Sequence, residues 1–352
     1  MDIRRVLIIG GNTRHIACSA KRAGYTVYAI DRFGDVDTER CVDGLLTFDH
    51  HLSDEELDEY VRKFDVDAIV LGSGFEMREI SQGRILGNDP KIACKASDRA
   101  LLVKKLDQLG IPHPRVFTDE IEYPAIIKPR YGMGGRMCRV IYEGLPPRDF
   151  VAQEYLQGTF ASVSVLSTGE NAVALAVNEQ LVGVPWLGTM QPFRYCGNVT
   201  PLDTKHNGRM RRIAETLVLE LGLIGSNGVD FVVTKDGPLA LEVNPRFQGS
   251  LDTVELSTGV NLFDGHVKAC SGELMKSVQS TCFAVKMVVF AKNKMTIRKN
   301  LDVNGIVNVP SIGKEINVEE PIATALGTGA TRKDAVHMAM KNVLLIKRAG
   351  QV

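Results

Sequence analysis

Charge imbalance is absent from this sequence: Lys and Arg number 42, Asp and Glu also 42, and the formal net charge is zero. That argues against a role driven by bulk charge, on nucleic acid or on a membrane surface. Long apolar runs are missing too. The opening MDIRRVLIIGGNTRH has too short an apolar stretch for a signal peptide or a membrane span. The seven cysteines (18, 41, 94, 138, 196, 270, 282) are odd in number, scattered and without a CxxC, which reads as reduced structural thiols in a cytoplasmic protein. The seven histidines form no HxH or HExxH, so no zinc site is indicated. There is no internal repeat and no low-complexity linker.

What is present describes an ordinary globular protein. With 352 residues, 44% hydrophobic and 24% charged, the chain has material for two or three packed units. The first ninety residues alternate strand and helix: RVLIIGG, then NTRHIACSAKRAG, then YTVYAIDRF ending near Asp31, a Ser53-capped helix, and VDAIVLGSGFE. This predicts a parallel sheet flanked by helices. Gly10-Gly11 before a helix invites a dinucleotide reading, but Asn12 and His15 stand where the second and third glycines of GxGxxG belong. The helix N-terminus there suits a substrate carboxylate or a purely structural turn equally. The Gly72–Glu76 turn, at another strand end, is open in the same way. From residue 97 a helix with Ser97 as cap and Gly110 as stop introduces a strand-rich stretch, and the chain closes with more strands and a final helix. The expected domains are 1–92 (α/β), 93–275 with a lid at about 115–155, and 276–352 (strand-rich α+β).

The segment from Gly228 to Arg246, GVDFVVTKDGPLALEVNPR, reads as a hairpin. A two-residue turn pairs Asp230 with Val243 and sends the acids to opposite faces. A three-residue turn, Lys235-Asp236-Gly237, pairs Asp230 with Glu242, puts Asn244 on the same face and leaves Phe231, Val233, Leu239, Leu241 and Val243 as an apolar face. The second register is expected. Two acids whose Cβ atoms lie about 5 Å apart call for a cation between their carboxylates, and Mg²⁺ (or Mn²⁺) is suited to such oxygen ligands. An exposed hairpin with incidental acids is the competing reading.

Three further stretches carry chemistry. Lys128 closes an apolar strand in YPAIIKPRYGMGGRM, and the glycines at 132, 134 and 135 can offer backbone N–H groups to phosphate oxygens, although this is not a Walker A loop. In FVAQEYLQG, Gln153, Glu154, Tyr155 and Leu156 can border an adenine or be plain edge-strand residues. Arg246, two positions beyond Asn244, can hold a phosphate or carboxylate.

In chain order these parts — a capped helix with Arg99, the strand lysine and glycine loop, QEYL, and the EVNPR hairpin — resemble the ATP-grasp superfamily, its carboxylate–amine ligases and biotin-carboxylase-like members. The tail from Val307 to Val336 is similar to their small C-terminal domain. The resemblance implies an ATP-grasp fold behind a Rossmann-like α/β domain, with ATP contacted by Arg99, Lys128, Gly132, Gly134, Gly135 and Gln153 to Leu156. It implies Mg²⁺ on Asp230, Glu242 and Asn244, and catalysis by Arg246 with Lys128. Phe160 stands where many relatives have a ribose-binding acid. Lys286, in AVKMVVF, is rejected as a biotinylation site because it sits inside a strand-like run.

The implied activity is ATP-dependent activation of a carboxylate as an acyl phosphate and its transfer to an amine. A bicarbonate-dependent carboxylase and a non-catalytic nucleotide-binding protein are the alternatives; hydride transfer is weaker still. Small-molecule carboxylate and amine are the expected partners, with a homodimer possible. Arg194 and Lys205 are candidate carboxylate contacts.

Overall fold

The structure, a computed structural model, describes residues 3–350. The chain opens with β1 (Arg5–Gly10), α1 (Arg14–Arg22), β2 (Thr26–Asp31), α2 (Val36–Cys41), β3 (Gly44–Thr47), α3 (Asp54–Val61) and β4 (Ala68–Leu71). The four strands form a parallel sheet in the order β3-β2-β1-β4. β1 shows why the sheet is covered on both faces. Val6 and Ile8 pack with Ile16, Ala17 and Ala20 of α1, while Leu7 and Ile9 pack with Leu57 and Val61 of α3. Ser53 closes a full capping box with Glu56 at the start of α3.

Two consecutive helices, α4 (Pro90–Ser97) and α5 (Arg99–Gln108), lead out of this unit. Ser97 ends the first of them; the cap of α5 is Asp98, whose side chain accepts from the backbone N–H of Ala100 and Leu101. The expected Ser97 cap is thereby corrected: the acid one residue later caps the helix and complements its dipole. Next come β5 (Val116–Phe117), β6 (Ala125–Pro129), β7 (Arg139–Ile141) and β8 (Phe150–Glu154), an antiparallel sheet in the order β5-β8-β6-β7.

The body of the molecule is a second sheet. It takes in β9 (Thr159–Thr168), β10 (Ala172–Val182), β11 (Tyr195–Thr200), β12 (Ile224–Thr234) and β13 (Gly237–Asn244), with α6 (Asn207–Glu220) before β12. After α7 (Leu251–Thr258) and α8 (Leu262–Cys270) follow β14 (Phe283–Phe290), β15 (Met295–Thr296), β16 (Ile306–Val307), β17 (Glu315–Ile316), β18 (Pro321–Gly329) and α9 (Arg332–Lys347). The order β13-β12-β9-β10-β11-β14-β18-β16 makes one eight-stranded sheet that runs across residue 276, with β15 and β17 paired separately. α6 buries Met210, Ala214, Leu217 and Val218 against Val163, Val165 and Phe231, while α9 buries Ala335, Ala339, Val343 and Ile346 against β14 and β18.

A buried charge cluster ties the first unit to this sheet. Arg14 of α1 donates to Asp252 of α7 at 2.6 Å, and Lys286 of β14 donates to the same carboxylate at 2.8 Å. Burial raises the pKa of Asp252, but Arg14 and Lys286 outweigh it and hold the carboxyl well below the usual range. Lys286 is thus an internal ion-pair partner, also donating to the Gly249 carbonyl.

The cysteines depart from expectation. Cys18 of α1 and Cys41 at the end of α2 form a disulfide, and five thiols remain free. Sequence spacing could not reveal this pair, because it is the packing of two helices on one side of β2 that brings the thiols together.

Candidate functional site

The β12–β13 hairpin joins Asp230 to Glu242 across the strands, but by a route other than the expected turn. Thr234 pairs with Gly237, so the loop is two residues, Lys235-Asp236, and Phe231 pairs with Ala240. A bulge between Asp230 and Phe231 then leaves Leu241 as an extra residue and restores the Asp230–Glu242 pairing. The bulge also rearranges the apolar face: Val229, Phe231, Ala240 and Val243 join the core, whereas Leu241 turns to the cleft.

The acids are differentiated by their surroundings. Asp230 accepts from Gln180 Nε2 at 3.0 Å and from Asn244 Nδ2 at 3.0 Å. Burial, reinforced by the neighbouring Glu242 charge, carries the Asp230 carboxyl well above the usual range. Burial works in the same direction on Glu242, but Arg99 and then Lys128 outweigh it and hold that carboxyl down. Arg99, at the start of α5, forms an ion pair with Glu242 and donates to the Pro129 carbonyl at 2.7 Å. Lys128, on β6 beside the cleft-lining Ile126, makes no side-chain hydrogen bond to a described residue; burial and the adjacent Arg99 charge lower its pKa.

The glycine-rich loop after β6 is held at both ends. Asp98 accepts from Arg130 and from the Tyr131 hydroxyl (2.8 Å) at its start. Further along, Tyr195 N–H donates to the Gly134 carbonyl at 3.2 Å, and the loop presses on the segment before β11 at Phe193. Gly135 has φ +71°, and a Cβ there would stand 1.7 Å from the Phe193 carbonyl oxygen. Only glycine permits this approach.

Arg246 is fixed from three sides. Its Nε donates to Glu76 at 2.7 Å, its Nη2 to the Asn244 side-chain oxygen at 3.2 Å, and its Nη1 to the Phe247 carbonyl at 3.0 Å. Glu76 in turn accepts from Gly74 N–H at 2.6 Å. The Gly72–Glu76 turn, left open by sequence reasoning, therefore positions the arginine. Its signal was only a carboxylate close behind a strand end.

These groups face one cavity of about 720 Å³. Of the expected site residues, Arg99, Lys128, Gly134, Gly135, Arg194, Asp230, Glu242, Asn244 and Arg246 line it, as does Phe160. Gly132 lies beside it, its carbonyl accepting from Arg99 Nη2 at 3.4 Å. Gln153, Glu154, Tyr155 and Leu156 are not in the lining; Tyr155 meets the lining Phe193 edge-on at 6.3 Å. Lys205 is exposed in the turn ahead of α6, away from the cavity, because β11 ends at Thr200 and the chain leaves the sheet there. Arg194 is buried, donating to Glu319 at 3.2 Å and lying 4.2 Å from the Phe290 ring centre.

The cavity continues to the carboxyl ends of all four parallel strands, at Gly11, Phe33, Phe48 and Ser73, the place where open α/β sheets bind ligands. The α1 N-terminus is already satisfied there. Asp31 accepts from Thr13 N–H at 2.6 Å and from its hydroxyl at 2.9 Å, and its other oxygen accepts from Phe33 and Gly34. The chain's own carboxylate occupies the position considered for a substrate anion.

Among the described residues no group of three or more His, Cys, Asp and Glu gathers as a metal site. The two acids and one amide of the hairpin nonetheless fit a hard cation. One acid, Asp230, is buried without an ion pair of its own, and a cation such as Mg²⁺ bound there would offset the repulsion from Glu242.

Comparison with known proteins bears on the fold. Residues 96–250 match the ATP-grasp domain, and the whole chain has the ATP-grasp fold of biotin carboxylases. The biotin carboxylase domain of Hydrogenobacter thermophilus 2-oxoglutarate carboxylase, solved as a dimer with MgADP, ADP and bicarbonate, superposes with a TM-score of 0.77 at 17% identity, covering 98% of this chain and 90% of that one. An uncharacterized protein of Methanocaldococcus jannaschii is 26% identical over 92% of this chain and 88% of its own length. The carbamoyl phosphate synthase large chain of Rubrobacter xylanophilus is 26% identical over 78% of this chain, which spans only 30% of that larger protein. Among the described residues no helix is long and apolar enough to cross a membrane.

Proposed function

We propose that this protein is an ATP-dependent ligase that activates a carboxylate as an acyl phosphate and joins it to an amine, releasing ADP and phosphate. The observation that carries the reading is the convergence, in one cavity, of the Asp230/Glu242 pair, Lys128 and the Glu76-anchored Arg246. Asp230, Glu242 and Asn244 would hold Mg²⁺, which when bound supplies positive charge to the polyphosphate. Lys128 and Arg99 would bind phosphate oxygens, and the loop through Gly134 and Gly135 would cover them.

In the reaction a carboxylate oxygen of the substrate forms a bond to the γ-phosphorus while the bond to ADP breaks. The amine then attacks the acyl carbon, losing a proton, and phosphate departs. Arg246, with two N–H donors uncommitted, would balance charge on the acyl phosphate, and closure of the glycine loop would exclude water. No side-chain nucleophile is required.

A bicarbonate-using carboxylase is the second reading, favoured by the likeness to a biotin carboxylase. The cavity favours the ligase, since it extends past the acid pair to four strand ends and residues 308–324, room that bicarbonate does not need. The test is ADP release over a matrix of carboxylic acids and amines, with product mass determined. Glu242→Gln and Lys128→Met should each lower substrate-dependent ADP release at least 100-fold with the melting transition retained. Full turnover by either variant, or ATP cleavage driven by bicarbonate alone, removes the ligase reading.

A further inference from the structure

Resting on the ligase reading, we infer that the substrate group held at the strand-end side of the cavity is aromatic or branched aliphatic and carries no phosphate. Phe33, Phe48 and Phe75, from the loops after β2, β3 and β4, line this part of the cavity, and Pro310, Ile316 and Ile322, from the β16–β18 region, add an aliphatic wall. Phe48 and Phe75 meet edge-to-face at 5.6 Å, and the half-buried Phe33 lies with Lys314 Nζ 5.7 Å from its ring centre. The rings come from three separate loops and the aliphatic wall from the far end of the chain, so the slot exists only in the assembled fold.

Charge excludes the alternative. A phosphate needs several convergent cations whose charge is not already spent. Here Lys286 is committed to Asp252 at 2.8 Å, Arg246 to Glu76 at 2.7 Å, Arg78 to Asp54 at 2.6 Å and Lys314 to Asp35 at 3.7 Å. At this end Arg32 is, among the described lining residues, the one guanidinium or ammonium group without an ion pair; His50 is paired with Asp49 and Glu56, His51 lines the cavity without an ion pair, and Arg136, also without one, belongs to the glycine loop. His15 is buried here as well, and desolvation, with the charge of Lys286, lowers its pKa to about 3, so it adds no positive charge at neutral pH. One free guanidinium suffices for a single carboxylate but not for a phosphate monoester.

α-Amino acids test the inference well, because each carries both reacting groups. With the full chain and MgATP, ADP release is measured for glycine, aspartate, O-phosphoserine, leucine and phenylalanine, singly and in pairs. Leucine or phenylalanine should give a kcat/KM at least tenfold above glycine and O-phosphoserine. Phe33→Ala should raise the KM for the preferred amino acid about tenfold, with the KM for ATP within twofold of wild type, and Phe33→Leu should restore most of the loss. Preference for O-phosphoserine or the small polar amino acids overturns the inference and leaves the ligase intact, as does an unchanged KM in Phe33→Ala. MgATP binding with no ADP release for any pair overturns the ligase reading and the inference with it.

Discussion

At the scale of single residues, the most consequential side chain outside the hairpin is Glu76. It belongs to the first α/β unit, yet its carboxylate fixes the Arg246 guanidinium while accepting from its own turn at Gly74. In Glu76→Gln the charge is lost and the contact can survive only in part. The expected result is a 10- to 100-fold fall in kcat with the KM for ATP little changed, since Arg246 and not the nucleotide loses its orientation. Equal kcat in the variant and wild type would show that Arg246 needs no such support. A different cost attaches to Asp252. Asp252→Ala leaves Lys286 buried without a counter-charge and Arg14 with only the more distant Asp37 at 3.7 Å, which should lower stability by about 3–5 kcal/mol in chemical denaturation. Residues of the first kind were hard to read from sequence: Glu76 and Arg246 are 170 positions apart, and nothing local reveals the partner. By contrast Asp230, Glu242, Asn244 and Arg246 lie within seventeen residues of one another, and a strand period of two was enough to group them.

At the scale of elements, strand and helix identities followed from hydrophobic period, whereas connections did not. The hairpin shows the difference. Its partners were expected correctly and its turn was not, because a two-residue loop plus a bulge yields the same Asp230–Glu242 pairing as a three-residue loop. Capping misled by one residue at α5, where Ser97 and Asp98 are both competent caps and the choice depends on Arg130 and Tyr131 closing over Asp98. Four short helices, α2, α4, α7 and α8, were not anticipated; their six to nine residues offer little periodicity to detect. The glycine loop yields a prediction at this scale. Gly135→Ala cannot reach the observed position against Phe193, so ADP release should fall at least tenfold while the melting temperature moves by no more than a few degrees. A near-normal rate would mean that closure to this position is unnecessary.

At the scale of the whole molecule, distant segments are joined by buried polar groups that respond to pH. His266 of α8 accepts from the Ser226 N–H of β12 at 2.8 Å and donates to the Leu86 carbonyl at 3.1 Å, an arrangement that requires the neutral ring. Desolvation lowers its pKa to about 4, against an ordinary value of 6.5. The unfolded chain therefore binds a proton that the folded chain refuses, and stability contributed by His266 is present above pH 6.5 and lost as pH falls toward 4. The loss approaches about 3 kcal/mol. Urea denaturation at pH 4.5 and 7 should show this pH dependence reduced in His266→Gln; an unchanged slope would place the acid sensitivity elsewhere. Fold class was legible because long runs such as β1 and β9 dominate the sequence. The continuity of one sheet across residue 276 was not, since it depends on β11 pairing with β14 some ninety residues later.

The bulge at Leu241 has an effect beyond aiming Glu242. β13 is an outer strand of the eight-stranded sheet, and a flat outer strand rich in Leu, Ala and Val would be a template for another chain to add to. Bending at the bulge breaks the run of evenly spaced backbone groups, and the Pro112 carbonyl already accepts from Ala240 N–H at 2.9 Å. The same irregularity that assembles the acids thus protects the molecule against edge-to-edge aggregation, so that a substitution straightening this strand would cost solubility as well as activity.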